Sequence, residues 1–274
     1  MMCHSYTTTM APPLGRVNNS MSCSVSAAVQ LIAVAIDKRD VVPSKVKRLL
    51  DATSDLPAKY NNLVPASKKR KRNEFADAHE VFDTLCGMMP LEFQRVYQGI
   101  VLDRSVCKQH GHAVMKSVNF TDLTLKVPVN LSCITLRELI EKMFHSENVD
   151  DYACLVCAKR VAAKHGTAYM LRLPSRLLRI VIQRPSNKAC VKLHPFIRIH
   201  TKAWQLIGIL VFVQNCHWVA YVWQDNAWWR CDDAEVTQVK APYRDVTVQM
   251  CAHFALYRLR PPSCHASHAP APHD

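Results

Sequence analysis

The sequence predicts an α+β fold. Helix-patterned segments fill the first half of the chain and short β-branched, aromatic segments fill the second. The composition is globular, with 49% hydrophobic and 21% charged residues among 274. A run of helices followed by a run of strands suits helices packed on an antiparallel sheet, not alternating βαβ units. No apolar run reaches the roughly 18 residues of a membrane-spanning helix. The opening MMCHSYTTTMAPP lacks the basic start and apolar stretch of a signal peptide. Transmembrane bundle, collagen, coiled coil and secreted mini-protein are excluded.

Residues 1–14 read as a loose leader. Residues 24–38 form an Ala-rich apolar helix with Cys23 at its start. The polar stretch 52–73, with Pro57 and Pro65, reads as an exposed loop between two helices. Residues 75–87 form the next helix: Phe75, Ala78, Phe82 and Leu85 share one face, and Asp77, Glu80 and Thr84 share another. Residues 117–127 alternate apolar and polar as a strand does. Thr135 and Glu138 make a capping box before a short helix at 136–144. Residues 177–183, 206–213, 217–223 and 226–231 read as strands, and 247–258 as a last one. The Pro/Ala/His-rich 261–274 has no pattern that packs and reads as a flexible tail.

The net charge is +13. Five of those charges form the run Lys68-Lys69-Arg70-Lys71-Arg72, a pattern of nuclear import signals and equally of a solvated loop. The remainder is spread along the chain without a basic recognition helix, so no nucleic-acid groove is expected. With no export signal, 12 cysteines beside 13 histidines point to metal or catalysis in a reducing compartment, nucleus or cytoplasm, more than to disulfides. A monomer is the default.

Three constellations carry chemistry. Cys23 opens a helix, where the helix dipole lowers a thiol's pKa; Asn18, five residues upstream, is placed to fold back and donate to an oxyanion. A buried structural cysteine is the plainer alternative. His217 begins a strand, a turn follows, and the next strand ends in Asp232 and Asp233; a hairpin of that length brings His217 and Asp232 together as base and orienting acid. A packed strand histidine is the alternative there. Cys107-x-x-His110 and Cys154-x-x-Cys157 make two knuckles with four zinc ligands and no open position, hence a structural site; His112 competes with His110.

The order of these signals resembles the ubiquitin-specific proteases, papain-like cysteine deubiquitinases with thumb, fingers and palm. The family's box G-x-x-N-x-G-N-T-C-[FY]-x-N-[SA]-x-[LV]-Q is matched at Gly15, Asn18, Cys23, Ala27, Val29 and Gln30. Asp77-Ala78-His79-Glu80-Val81-Phe82 resembles its D-[AS]-x-E-[FL] helix, and Tyr97-Gln98-Gly99 its F-x-G entry to the fingers. Its His box is matched at His217 and Ala220-Tyr221-Val222, its W-x-x-F-[ND]-D end at Trp228–Asp233, and its closing strand at Ala252–Tyr257. Ser20-Met21-Ser22, Cys216 and Trp218 depart from the Gly-Asn-Thr, Gly and Tyr found there.

The resemblance covers residues 15–260 and implies a thumb over about 15–95, fingers over about 96–170 and a palm over about 171–260. It implies Cys23 as nucleophile, His217 as base, Asp232 as third triad member, Asp233 in support and Asn18 as oxyanion donor. Asp77 and Glu80 would hold the basic tail of ubiquitin, with Trp218 on the substrate side, and Zn2+ would be held by Cys107, His110, Cys154 and Cys157. The implied activity is cleavage after the C-terminal glycine of ubiquitin, with no catalytic cofactor and no membrane partner. The alternatives are a weak or inactive ubiquitin-binding module, or a protease for a relative such as SUMO.

Overall fold

The structure, a computed structural model, describes residues 13, 23–52, 56–64, 77–154, 156–184, 189–213 and 217–261. The expected leader (apart from Pro13), Asn18, the basic run 68–72, Cys216 and all of the tail beyond Pro261 lie outside the described residues.

Helices lead the chain. They are α1 (Cys23–Ala35), α2 (Ser44–Leu50), α3 (Leu56–Leu63), α4 (Ala78–Gly87) and α5 (Leu91–Arg95). Then come β1 (Gly99–Cys107), β2 (Ala113–Phe120), β3 (Asp122–Lys126), β4 (Cys133–Thr135), α6 (Leu136–Met143), β5 (Glu147–Cys154), β6 (Lys159–Arg172) and β7 (Leu177–Gln183). The chain continues through β8 (Cys190–Lys192), β9 (Phe196–Ile199), β10 (Lys202–Val213), β11 (His217–Gln224), β12 (Ala227–Asp232), β13 (Glu235–Val239), α7 (Val246–Cys251) and β14 (Ala252–Leu259).

The large sheet runs β13-β12-β11-β10-β14-β7-β3, with β9 also on β10. A separate four-stranded sheet runs β2-β1-β6-β5, and β4 pairs with β8. Pairing is antiparallel except for β3–β7 and β4–β8, which are parallel. The large sheet is buried on both faces. Phe254 and Leu256 of β14 face a core with α1, α4 and the other helices, whereas Ala255 and Tyr257 face a second core with α6, β3 and β8.

Helix α1 is the pivot of the first core. All of its residues but Ala33 are buried, including the polar Ser24, Ser26 and Gln30, as a predominantly apolar helix at the centre of a core requires. It lies against β10 and β11, and Gly208 makes the fit: a Cβ there would sit 2.1 Å from Leu31 Cδ1. The capping box forms as expected, with Glu138 N–H donating to Thr135 Oγ1 at 3.1 Å and Thr135 N–H to Glu138 Oε2 at 2.8 Å.

Several element boundaries are corrected. The 52–73 loop contains α3, and α2 precedes it. The 117–127 strand is two strands of different sheets, broken at Thr121. The first turn of 247–258 is helical, because Asp245 accepts from Val248 N–H at 3.1 Å and caps α7.

Candidate active site and metal centre

Cys23 is the first residue of α1 and only 5% exposed. Burial pushes its thiol up, the backbone of Trp218 hydrogen-bonds to it and pulls the other way, and the nearby Asp233 carboxylate adds to the rise. The sequence expectation of a lowered thiol pKa is thus corrected: in a site this dry, desolvation outweighs the helix terminus. The same contacts place the thiol at the mouth of the β11–β12 hairpin, next to the residue that follows His217.

That hairpin sets the His–Asp pair. Ala220 faces Cys231 across the ladder, so continuing the register puts His217 and Asp232 on one face, diagonally opposed. His217 Nε2 and Asp232 Oδ1 are 2.5 Å apart. That bond leaves Nδ1 as the ring nitrogen for a proton from a thiol. Asp233, in the left-handed region at φ +50°, brings a second carboxylate within 4.8 Å of both groups. The other oxygen of Asp232 is held by Arg230. Arg230 was not singled out in the sequence, although alternation along β12 already places it on the face of Asp232.

Trp218 points away from His217. It is 5% exposed and packs between Phe212, with ring centroids 4.9 Å apart, and His253 at 5.6 Å. Its side chain is packed into the first core and does not present the substrate surface expected for it.

Asp77 N-caps α4, accepting from His79 N–H at 2.8 Å, and both Asp77 and Glu80 are exposed at the helix start. Behind them lies Arg179, fully buried, whose guanidinium donates to Asp83 at 2.8 Å and Asp122 at 3.0 Å. It stacks on Phe82 and Tyr97 at 5.3 and 4.7 Å. Burial pushes the neighbouring Cys86 thiol up to about 12. This network, missed in the sequence, ties α4 to β3 and β7.

The predicted metal ligands converge at the far end of the four-stranded sheet. Cys107 Sγ and Cys157 Sγ lie 3.6 Å apart, close to the roughly 3.8 Å edge of a zinc tetrahedron with 2.3 Å bonds. Cys157 N–H donates to Cys154 Sγ at 3.2 Å, and Gly111, at φ +70°, turns the first knuckle. His110 Nδ1 is 3.8 Å from Cys157 Sγ, and His112 Nε2 is 3.1 Å from Cys154 Sγ. Three thiols and two imidazoles therefore converge where four ligands are needed, and His112 joins the four that were predicted. The donor set fits a tetrahedral zinc.

No protein-family model matches the sequence, and no curated protein matches it. Solved structures do match in shape. One is the SAGA Ubp8/Sgf11/Sus1/Sgf73 DUB module bound to ubiquitin aldehyde, with a TM-score of 0.64 and 15% identity over 93% of this chain and 72% of that one. Another is the module with a cysteine-to-alanine change in Ubp8, bound to monoubiquitin, at TM-score 0.65 and 16% identity over 94% and 73%. The fold is that of the ubiquitin-specific proteases. Within this protease fold, the structure brings Cys23, His217, Asp232 and Asp233 to one place, and Asp77 to the neighbourhood of His253 beside it.

Proposed function

We propose that this chain is a thiol-dependent deubiquitinase. The observation that carries the reading is the His217–Asp232 pair at 2.5 Å beside the buried thiol of Cys23. His217 Nδ1 takes the proton from Cys23 as sulfur attacks the carbonyl carbon of the C-terminal glycine of ubiquitin. Asp232 fixes the imidazole tautomer and stabilises the imidazolium. The amine leaves with that proton, a thioester remains on Cys23, and water activated by His217 releases it. A thiol whose pKa is raised by burial gains reactivity from transfer to His217, which makes the pair indispensable. Asn18 supplies the oxyanion donor, and Asp77 and Glu80 receive basic residues of the ubiquitin tail. The thumb, fingers and palm divide at about residues 95 and 170. Cys107, Cys154 and Cys157 with His112 or His110 hold a zinc that, when bound, supplies a structural cross-link and no chemistry. The basic run 68–72 directs the protein to the nucleus.

The test uses full-length, zinc-loaded protein and C-terminal electrophile probes built on ubiquitin and on SUMO, beside Cys23→Ala. A ubiquitin adduct lost in Cys23→Ala is expected. An adduct with SUMO alone would move the substrate. No adduct from folded protein would leave a ubiquitin-binding module.

A further inference from the structure

Outside the catalytic and metal centres, two more thiols meet. β4 and β8 pair in parallel with Cys133 directly opposite Cys190. Paired strands lie about 4.8 Å apart, inside the roughly 4.4–6.8 Å range of Cα separations that a disulfide spans. In-register residues of a parallel pair point to the same side, so the two thiols lie side by side. They differ in access: Cys133 is exposed, the only such cysteine among the described residues, and Cys190 is half-buried.

We infer that Cys133 and Cys190 form a peroxide-reactive thiol pair, a site of reversible oxidation separate from the catalytic cysteine. The Cys133 sulfur, as thiolate, attacks a hydroperoxide; the O–O bond breaks, an alcohol or water leaves, and Cys133 becomes a sulfenic acid. The Cys190 sulfur then displaces its hydroxyl, which departs as water with the Cys190 proton, and the disulfide closes. Two thiols lose two electrons and one peroxide gains them.

The surroundings support this division of labour. Burial, and then the neighbouring Cys133 thiol, push Cys190 up to about 11, so Cys190 is not the sulfur that meets peroxide first; Lys192 and Arg184 oppose that rise. The Cys190 S–H donates to Gln249 Oε1 on α7 at 3.3 Å, which steadies it as the resolving partner. Other thiols are less available: Cys86 and Cys231 are buried at 1% and 3% exposure, and Cys23 at 5%.

The test treats full-length, zinc-loaded protein with equimolar hydrogen peroxide, then maps disulfides by mass spectrometry after non-reducing digestion. The expected result is one linked peptide joining Cys133 to Cys190, short by two hydrogens and reversed by dithiothreitol. In Cys190→Ser, dimedone should trap a sulfenic acid at Cys133; in Cys133→Ser, Cys190 should remain reduced. Four outcomes overturn the inference: both thiols unmodified, Cys133 stopping at sulfenic or higher oxides in the wild type, Cys133 joining two molecules, or Cys190 bridging to Cys251 instead. The Cys23→Ala protein should behave as wild type, so failure here is separate from failure of the protease reading.

Discussion

Asp232 serves two partners at once. One oxygen orients His217 and the other is held by Arg230. The two contacts are not equivalent for catalysis. Changing Asp232→Asn keeps the shape but turns an obligate acceptor into an amide that can present a donor to Nε2, and so favours the wrong tautomer. The expected loss is about 10³–10⁴-fold in kcat on a ubiquitin-tail substrate. Arg230→Met removes only the far clamp, and the loss should stay below about tenfold. Steady-state kinetics of both variants checks the contrast; equal losses would mean that Arg230 sets the geometry. His253 gives a pH signature at the same scale. Burial and then Arg184 hold its pKa below the ordinary 6.5, with Asp77 opposing. The unfolded chain therefore binds this proton first as pH falls, and the stabilisation associated with neutral His253 is lost from about pH 6.5 downward. Chemical denaturation between about pH 7.5 and about pH 5.5 should show a smaller loss for His253→Phe than for the wild type. A parallel pH slope in the two proteins would remove His253 as the cause.

Helix α1 carries Cys23, the proposed nucleophile, so its seat on the sheet bears on the proposed chemistry. Gly208→Ala would drive a methyl to 2.1 Å from Leu31 Cδ1. Overpacking of this kind costs about 1–3 kcal/mol, and it pushes the helix that carries Cys23 away from β11. Gly208→Ala should lower both the denaturation midpoint and probe labelling at Cys23, and adding Leu31→Ala should restore part of each. Arg179 is the other keystone. Arg179→Leu leaves Asp122 largely buried without its cation and should cost about 3–5 kcal/mol by urea denaturation. What was legible in the sequence follows the same physics. The Ala- and Val-rich α1, the β11–β12 hairpin and the capped α6 declare themselves through pattern or a cap. The strands β2 and β5 do not, because they are mostly exposed and carry no clean alternation. α7 was hidden because its β-branched residues imitate a strand, and only the Asp245 cap separates it from β14. At the site, Cys23, His217 and Asp232 stood out by order along the chain. Arg230 and the contest between His110 and His112 depend on distances that spacing does not encode.

At the scale of the molecule, the two main sheets are stabilised differently. The large sheet is sandwiched between two apolar cores, and β10 and β14 contribute fully buried residues to both. The four-stranded sheet has no such core. Val101 and Met170 anchor its base to the second core, whereas β2 is largely open to solvent and the outer half of β1 is mostly half-buried. Its far end is held where Cys107, Cys154 and Cys157 converge with the two histidines. A sheet that buries so little apolar surface would rely on the proposed zinc as its cross-link, and binding of that metal would there be a folding free energy. Removing zinc with a chelator should therefore unfold the outer part of this sheet while the large sheet stays intact. Hydrogen exchange is the decisive readout: amides of β2, β5 and the outer halves of β1 and β6 should lose protection, while β10 and β14 keep theirs. Cys157→Ser should reproduce the pattern without chelator. The Cys23–His217 site, built on α1 and the large sheet, should remain assembled and react with a small thiol reagent at an unchanged rate, while labelling by a ubiquitin probe, which must dock on the whole surface, falls. Equal loss of protection in both sheets would show instead that the metal end and the catalytic end fold as one cooperative unit.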